Sequence, residues 1–132
     1  MSAVTSVNIK SVLLIDDDPS CNFILSEFIN LVDKSVAKHE TSSVDDALAY
    51  LLSTSQYPDV IFLDLNMPIK SGFDFLDEYQ ERFFQNNPNT KIIVLTSSLR
   101  PSDREQTLSF DCVTDYKSKS EIDQFIFNSL KS

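Results

Sequence analysis

The sequence predicts a single α/β domain built on a doubly wound sheet of five parallel strands. Short apolar segments alternate with longer amphipathic segments along the 132 residues, and this alternation is typical of successive β-α units. Two of the apolar segments, at 12–15 and 60–63, contain no polar residue, as expected of strands buried on both faces of a parallel sheet. The length suits one domain, with residues 1–8 as a loose N-terminal extension.

The apolar segments predict the positions of the strands. These lie at residues 11–15, 36–40, 60–65, 92–95 and 113–116. Because a parallel strand reaches its neighbour through a crossover connection, the intervening segments are expected to form helices on both faces of the sheet.

Helix signals occupy the segments between the strands. The first helix begins after Pro19-Ser20 and carries apolar residues at helical spacing as far as Leu31. Ser43 and Asp46 resemble a capping box at the start of the second helix.

The other three helices are predicted from the same spacing. The third carries an apolar stripe of Phe73, Leu76, Phe83 and Phe84. The fourth begins near Pro101, has a predicted capping box of Ser102 and Glu105, and ends at about Phe110. The fifth follows Ser120 and buries Ile122, Phe125, Ile126 and Leu130.

Composition argues against several classes of partner. Twenty acidic and eleven basic residues give a net charge of −9, which opposes binding to nucleic acid or to an anionic membrane. No apolar stretch reaches the ~18 residues of a transmembrane helix, and the N-terminus lacks a signal-peptide pattern. We therefore expect a cytoplasmic location.

The two cysteines and the single glycine exclude further kinds of site. Cys21 and Cys112 are far apart and form no CxxC motif, so both are expected to be reduced thiols. Gly72 is the only glycine, which excludes a glycine-rich phosphate-binding loop.

Polar side chains follow the predicted strands at the points where the strands end. Asp16 and Asp17 follow the first strand and Asp64 ends the run VIFLD of the third. Ligands of open parallel sheets bind outside the carboxyl ends of the strands, so these acids are expected to converge there. Converging carboxylates repel one another unless a cation binds, and oxygen ligands of this kind suit Mg²⁺.

The spacing of these groups resembles that of a known family. The acidic pair lies in I-D-D-D-P, the third acid in D-L-N-M-P with Gly72 eight residues later, a hydroxyl in V-L-T-S-S, and Tyr116 stands three residues before Lys119. Over almost the whole chain this pattern is similar to the CheY-like receiver domain of response regulators, here of a stand-alone type.

The resemblance implies a fold and a set of roles. The fold would be flavodoxin-like, (βα)5, with strand order 2-1-3-4-5. Asp64 would be the phosphoacceptor, and Mg²⁺ would be held by Asp16, Asp17, Asp64 and the backbone carbonyl of Asn66. Thr96 and Lys119 would contact the phosphoryl group, and Thr96 and Tyr116 would form the conformational switch.

The resemblance also implies partners. A sensor histidine kinase or a histidine phosphotransfer protein would donate the phosphoryl group, and the output would be contact with another protein. The chain would catalyse only its own phosphorylation and dephosphorylation.

One departure leaves the position of the lysine open. The family usually has a proline after the lysine, joined by a cis bond, whereas Ser120 follows Lys119 here. A cis bond before a residue other than proline costs ~3 kcal/mol or more. Lys117 lies on the same face of a strand as Lys119 and is the alternative cation.

Two other functions compete with the phosphoacceptor. A degenerate receiver would act as a constitutive binding module. An aspartyl-nucleophile phosphatase of the haloacid-dehalogenase type would need a second aspartate two residues after the nucleophile, and Asn66 stands there.

Overall fold

The computed structural model describes residues 9–98 and 100–121. Its five strands are β1 Ser11–Ile15, β2 Ala37–Thr41, β3 Val60–Asp64, β4 Lys91–Thr96 and β5 Val113–Ser118. All neighbouring strands are parallel, and their order is β2-β1-β3-β4-β5. The predicted fold class and strand order are therefore confirmed.

Four α-helices are described. They are α1 Pro19–Val32, α2 Val44–Ser53, α3 Gly72–Arg82 and α4 Pro101–Leu108, and short 3-10 turns follow at Phe84–Asn86 and Lys119–Glu121. The predicted fifth helix lies outside the described residues. Within the described part of the chain, no helix is long and apolar enough to span a membrane.

The largest difference from the predicted strands is in β5. This strand continues to Ser118 because its backbone pairs with β4 as far as Thr96. Its residues after Tyr116 are polar, so apolar periodicity could not reveal the extension. The other strand ends agree with the prediction to within one residue.

The helix starts contain one correct and one wrong prediction. Ser43 caps α2, and its hydroxyl accepts a hydrogen bond from the Asp46 N–H at 3.1 Å. The predicted capping box of Ser102 and Glu105 is wrong, because α4 begins with Pro101 and has no side-chain cap at Arg100.

A complete capping box occurs instead at α3, where the sequence analysis had not identified one. Ser71 accepts a hydrogen bond from the Asp74 N–H, and the Asp74 carboxylate accepts one from the Ser71 N–H. The helix ends at Arg82, so Phe83 and Phe84 lie beyond it rather than on its stripe. Phe83 is nevertheless buried.

Alternating strand residues build two apolar layers. One layer contains Leu13, Ile61 and Leu63 and packs against buried residues of α2 and α3. The opposite layer contains Leu14 and Phe62 together with apolar residues of α1. The sheet is thus covered on both faces, and the carboxyl ends of its central strands meet at one edge.

Gly72 allows α3 to begin against the end of β3. Its N–H donates to the Leu65 carbonyl at 2.9 Å. A Cβ atom added here would lie 2.5 Å from the Asp64 carbonyl oxygen and 2.8 Å from the Leu65 Cα. Both neighbours are backbone atoms of the segment that carries Asp64, so neither can rotate away.

We expect Gly72→Ala to destabilise the protein by about 2 kcal/mol, as overpacking of a rigid site does. At an unobstructed helical position the same change stabilises by up to about 1 kcal/mol, so the sign of the effect is diagnostic. The measurement is urea unfolding, with the exposed Asp77→Ala of α3 as control. A Gly72→Ala protein as stable as the wild type would show that the close approach is absent.

Candidate functional site

Three carboxylates converge at the carboxyl edge of the sheet. Asp16 directly follows β1 and Asp64 ends β3, and these strands are neighbours with Ile15 paired to Leu63. Asp16 and Asp64 are only 6% and 5% exposed, whereas Asp17 is exposed. Oxygen atoms of Asp16, Asp17 and Asp64 all lie within 4.8 Å of one another. The structure therefore brings together the acids that the sequence analysis singled out.

Lys119 reaches two of these acids. Its Nζ lies 2.8 Å from Asp16 Oδ2 and 3.3 Å from Asp64 Oδ1. Because Thr96 pairs with Ser118, Lys119 is the first residue beyond β5 at the edge where β3 and β4 also end. The lysine therefore sits beside the acids as a result of strand register.

The departure at Ser120 does not displace the lysine. No peptide bond in the described ranges is cis, so the bond between Lys119 and Ser120 is trans. The turn is held by Ser118, whose hydroxyl lies 2.9 Å from that of Ser120 and whose N–H donates to Glu121. Lys117 Nζ lies 3.8 Å from Asp115 Oδ2. Of the two lysines, Lys119 is the one in contact with the buried acids.

The charges of the site perturb one another. Burial, followed by the negative charge of Asp16, raises the pKa of Asp64 from 3.8 to about 6, and Lys119 only partly offsets these effects. Burial alone would lower the pKa of Lys119, but its hydrogen bond to Asp16 and the charges of Asp64 and Asp16 raise it above its ordinary value. The negative charge of the carboxylates is thus greater than the positive charge of the one lysine that contacts them.

This donor set fits a hard divalent cation. Three carboxylates supply oxygen ligands, and Mg²⁺ prefers oxygen ligands together with several bound waters. Asp17 is exposed, which leaves one side of the cluster open to solvent. Asn66 is exposed two residues beyond Asp64, in the loop after β3.

Thr96 lies at the end of β4, next to the acids. Its side chain is fully buried, and its hydroxyl accepts a hydrogen bond from the Ser98 N–H at 3.0 Å. Tyr116 pairs with Val94 one strand further along. The Tyr116 hydroxyl is buried and forms no hydrogen bond of regular geometry among residues 9–98 and 100–121, although it lies near Ser98. Burial, and then the charge of Asp103, raise the pKa of this phenol.

A polar network between β4 and α4 was not predicted. The Ser98 hydroxyl donates to Asp103 Oδ2 at 2.6 Å and accepts from the Arg100 N–H at 3.2 Å. The Arg100 guanidinium also lies 3.2 Å from Asp103. Ser97, the preceding residue, is exposed, and no periodic pattern in the sequence distinguishes Ser98 from it.

Asn22 also contacts the acidic loop, through a hydrogen bond to the Asp16 carbonyl, and the sequence analysis did not identify it. It lies on the buried face of α1, at a position that an apolar stripe would ordinarily occupy. A polar residue on such a face was the only available signal.

Known proteins are similar to most of this chain. The family model of the response regulator receiver domain matches residues 12–126. Hybrid signal transduction histidine kinase D of Dictyostelium discoideum is 33% identical over 74% of this chain, and the probable transcriptional regulatory protein TcrX of Mycobacterium tuberculosis is 29% identical over 71%. The matched segments are 6% and 37% of those relatives' lengths.

Solved structures show the same fold. A two-component response regulator from Cytophaga hutchinsonii superposes with a TM-score of 0.78 at 27% identity, covering 92% of this chain and 99% of that one. The phosphorylated cyanobacterial phytochrome response regulator RcpA also has a TM-score of 0.78, at 22% identity, with 91% and 90% covered. Since the family model spans nearly the whole chain, this protein belongs to the response regulator receiver domain family.

Proposed function

We propose that this chain is a phosphoacceptor of a two-component system. Asp64 takes a phosphoryl group from a histidine kinase or a histidine phosphotransfer protein in a Mg²⁺-dependent reaction, and the signal passes on by protein contact. The observation that carries the proposal is the buried Asp64 carboxylate with Lys119 Nζ at 3.3 Å and two further acids beside it.

Asp64 is suited to act as the nucleophile. With a pKa of about 6 it is mainly ionised at neutral pH, yet more basic than an ordinary aspartate. One carboxylate oxygen forms a bond to phosphorus while the bond from phosphorus to the donor nitrogen breaks, and that electron pair stays on the donor imidazole.

Two side chains stabilise the charge of the transferred group. Lys119 already contacts Asp64 and carries a positive charge at all physiological pH values, so it can pair with a phosphoryl oxygen. Thr96 would donate its hydroxyl hydrogen to another phosphoryl oxygen, while its oxygen accepts from the Ser98 N–H. These two hydrogen bonds would connect the phosphoryl group to the network at the start of α4.

The acidic cluster would hold the metal. Asp16, Asp17 and Asp64, with the backbone carbonyl of Asn66, are the proposed ligands. When bound, Mg²⁺ supplies the positive charge that phosphoryl transfer requires. Without it, Lys119 is the only cation in contact with the acids among the described residues.

The contact between Lys119 and the acids favours this function over the two alternatives. A constitutive binding module has no need of two buried acids and a lysine in contact, which cost desolvation. A phosphatase of the haloacid-dehalogenase type needs an acid/base group where Asn66 stands. The protein's own reactions would therefore be phosphorylation and dephosphorylation of Asp64.

The partners we propose are proteins. Relatives of this chain include a hybrid histidine kinase and nitrate/nitrite response regulators, which supports a histidine kinase or phosphotransfer protein as donor. The net charge of −9 disfavours nucleic acid and anionic membranes, and a cytoplasmic location suits these partners.

Incubation with a small phosphodonor and Mg²⁺ should place one phosphoryl group on Asp64, because this carboxylate is buried beside the cation. Intact mass spectrometry gives the stoichiometry, and lability to hydroxylamine identifies an acyl phosphate. The exposed Asp77→Asn serves as the matched control and should label like the wild type. Labelling of Asp64→Asn to the wild-type level would show that another residue is the nucleophile.

The raised pKa of Asp64 predicts how pH affects stability in the absence of metal. The folded-state pKa of about 6 exceeds the ordinary value of 3.8, so ionisation of Asp64 opposes folding. This cost is small near pH 4 and fully present above pH 6. Asp64→Asn should therefore stabilise the protein at pH 7 but hardly at pH 4.

Urea unfolding in EDTA measures this difference. Addition of Mg²⁺ at pH 7 should raise the stability of the wild type more than that of Asp64→Asn. An effect of Asp64→Asn that is the same at both pH values would contradict the assigned pKa.

The two lysines offer a matched test of the switch. Lys119→Ala should slow labelling, on the order of a hundredfold for the loss of one charge-stabilising group. It should also abolish phosphorylation-dependent amide shifts in α4 and β5, because the phosphoryl group is no longer held by Lys119 in the position where Thr96 can contact it. Lys117→Ala should behave as the wild type, and NMR spectra before and after phosphodonor addition provide the readout. The reverse result for the two lysines would remove Lys119 from the site.

A further inference from the structure

Asn22 is a buried amide inside a helix. It is the fourth residue of α1 and is 3% exposed. Asparagine is less favourable than alanine in a helix, and a buried amide costs free energy unless it is hydrogen-bonded. A buried asparagine on an apolar helix face therefore needs hydrogen-bond partners that offset this cost.

Both N–H groups of the Asn22 amide are used. Nδ2 donates to the Asp16 carbonyl at 3.2 Å and to the Thr41 carbonyl at 3.1 Å. The Thr41 carbonyl also accepts from the Asp16 N–H at 3.1 Å. A side-chain amide has two N–H donors. Asn22 uses both of them to join the end of β2 to the loop after β1.

The Asp16 carbonyl belongs to the peptide unit that links Asp16 to Asp17. That unit is planar, so fixing its carbonyl fixes the direction in which Asp17 leaves the loop. The Asp17 side chain is exposed, and its direction therefore depends on the backbone rather than on packing. Asp18 completes the loop, because its N–H donates to Asp16 Oδ1 at 3.0 Å.

We infer that Asn22 is a positioning residue of the acidic site, which orients the peptide between Asp16 and Asp17 so that their carboxylates stand ready for a divalent cation. This inference rests on the proposed function. An amide that merely attached α1 to the sheet would need only the Thr41 carbonyl. The hydrogen bond to the Asp16 carbonyl connects Asn22 directly to a residue that is a proposed metal ligand.

Titration with Mg²⁺, followed by amide shifts of residues 16–18 and 64–66, tests the inference in the intact chain. Asn22→Leu keeps the number and branching of the side-chain heavy atoms and removes both donors, and we expect about tenfold weaker Mg²⁺ binding, as for other residues that orient metal ligands. Asn22→Ala leaves room for water to replace the donors, so its loss should be smaller. Asp17→Asn, which lacks a ligand, is the positive control.

Ile29→Val is the matched stability control. Ile29 is fully buried on the same face of α1 but contacts no acid of the site, and its loss of a methylene costs about 1 kcal/mol. It should leave Mg²⁺ affinity unchanged. The inference is overturned if Asn22→Leu and Asn22→Ala lose stability yet bind Mg²⁺ as tightly as Ile29→Val.

Hydrogen exchange without Mg²⁺ separates this inference from the proposed function. The Asp16 N–H donates to the Thr41 carbonyl and the Asp18 N–H donates to Asp16 Oδ1. Asn22→Leu should accelerate the exchange of both amides more than Ile29→Val does. Failure of the wild type to bind Mg²⁺ or to label Asp64 would refute the proposed function. Unchanged exchange of the two amides in Asn22→Leu would refute the role of Asn22 in the loop.

Discussion

The central interaction of this domain is the contact of one lysine with two buried carboxylates. Asp16 and Asp64 lie at adjacent strand ends, and Lys119 contacts both from the turn that follows the edge strand β5. Taking like charges out of water is costly, and the raised pKa of Asp64 reflects that cost. The arrangement persists because the parallel register of four strands determines where these side chains emerge. A site with excess negative charge at neutral pH is also one that a divalent cation would stabilise.

The loops around this site are restrained by the neighbouring elements. Gly72 lets the start of α3 lie against the backbone of the segment that carries Asp64, and the Ser71 capping box fixes the direction of that helix. On the opposite face of the sheet, Asn22 links α1 to the acidic loop. Both covering layers thus hold the site's backbone in place, so less reorganisation is needed when a ligand binds.

The residues of the proposed switch lie in β4, β5 and the start of α4. Thr96 is bonded to the Ser98 N–H, and Ser98 is bonded to Asp103 at the start of α4. The buried Tyr116 hydroxyl forms no hydrogen bond of regular geometry in the described part of the chain. Such a hydroxyl costs free energy, and that cost narrows the free-energy difference from a conformer in which the hydroxyl is hydrogen-bonded.

Sequence alone determined the sheet, because β1 and β3 are apolar runs with no alternative solvent-facing register. It also indicated that Asp64 was unusual, because a carboxylate at the end of such a run must be compensated. Only the tertiary structure decided that Lys119 contacts the acids, since the paired register of β4 and β5, and not lysine spacing, sets which cation reaches them. The cap of α3, the polar end of β5 and the role of Asn22 were likewise decided by contacts between segments far apart in the chain, which local periodicity does not encode.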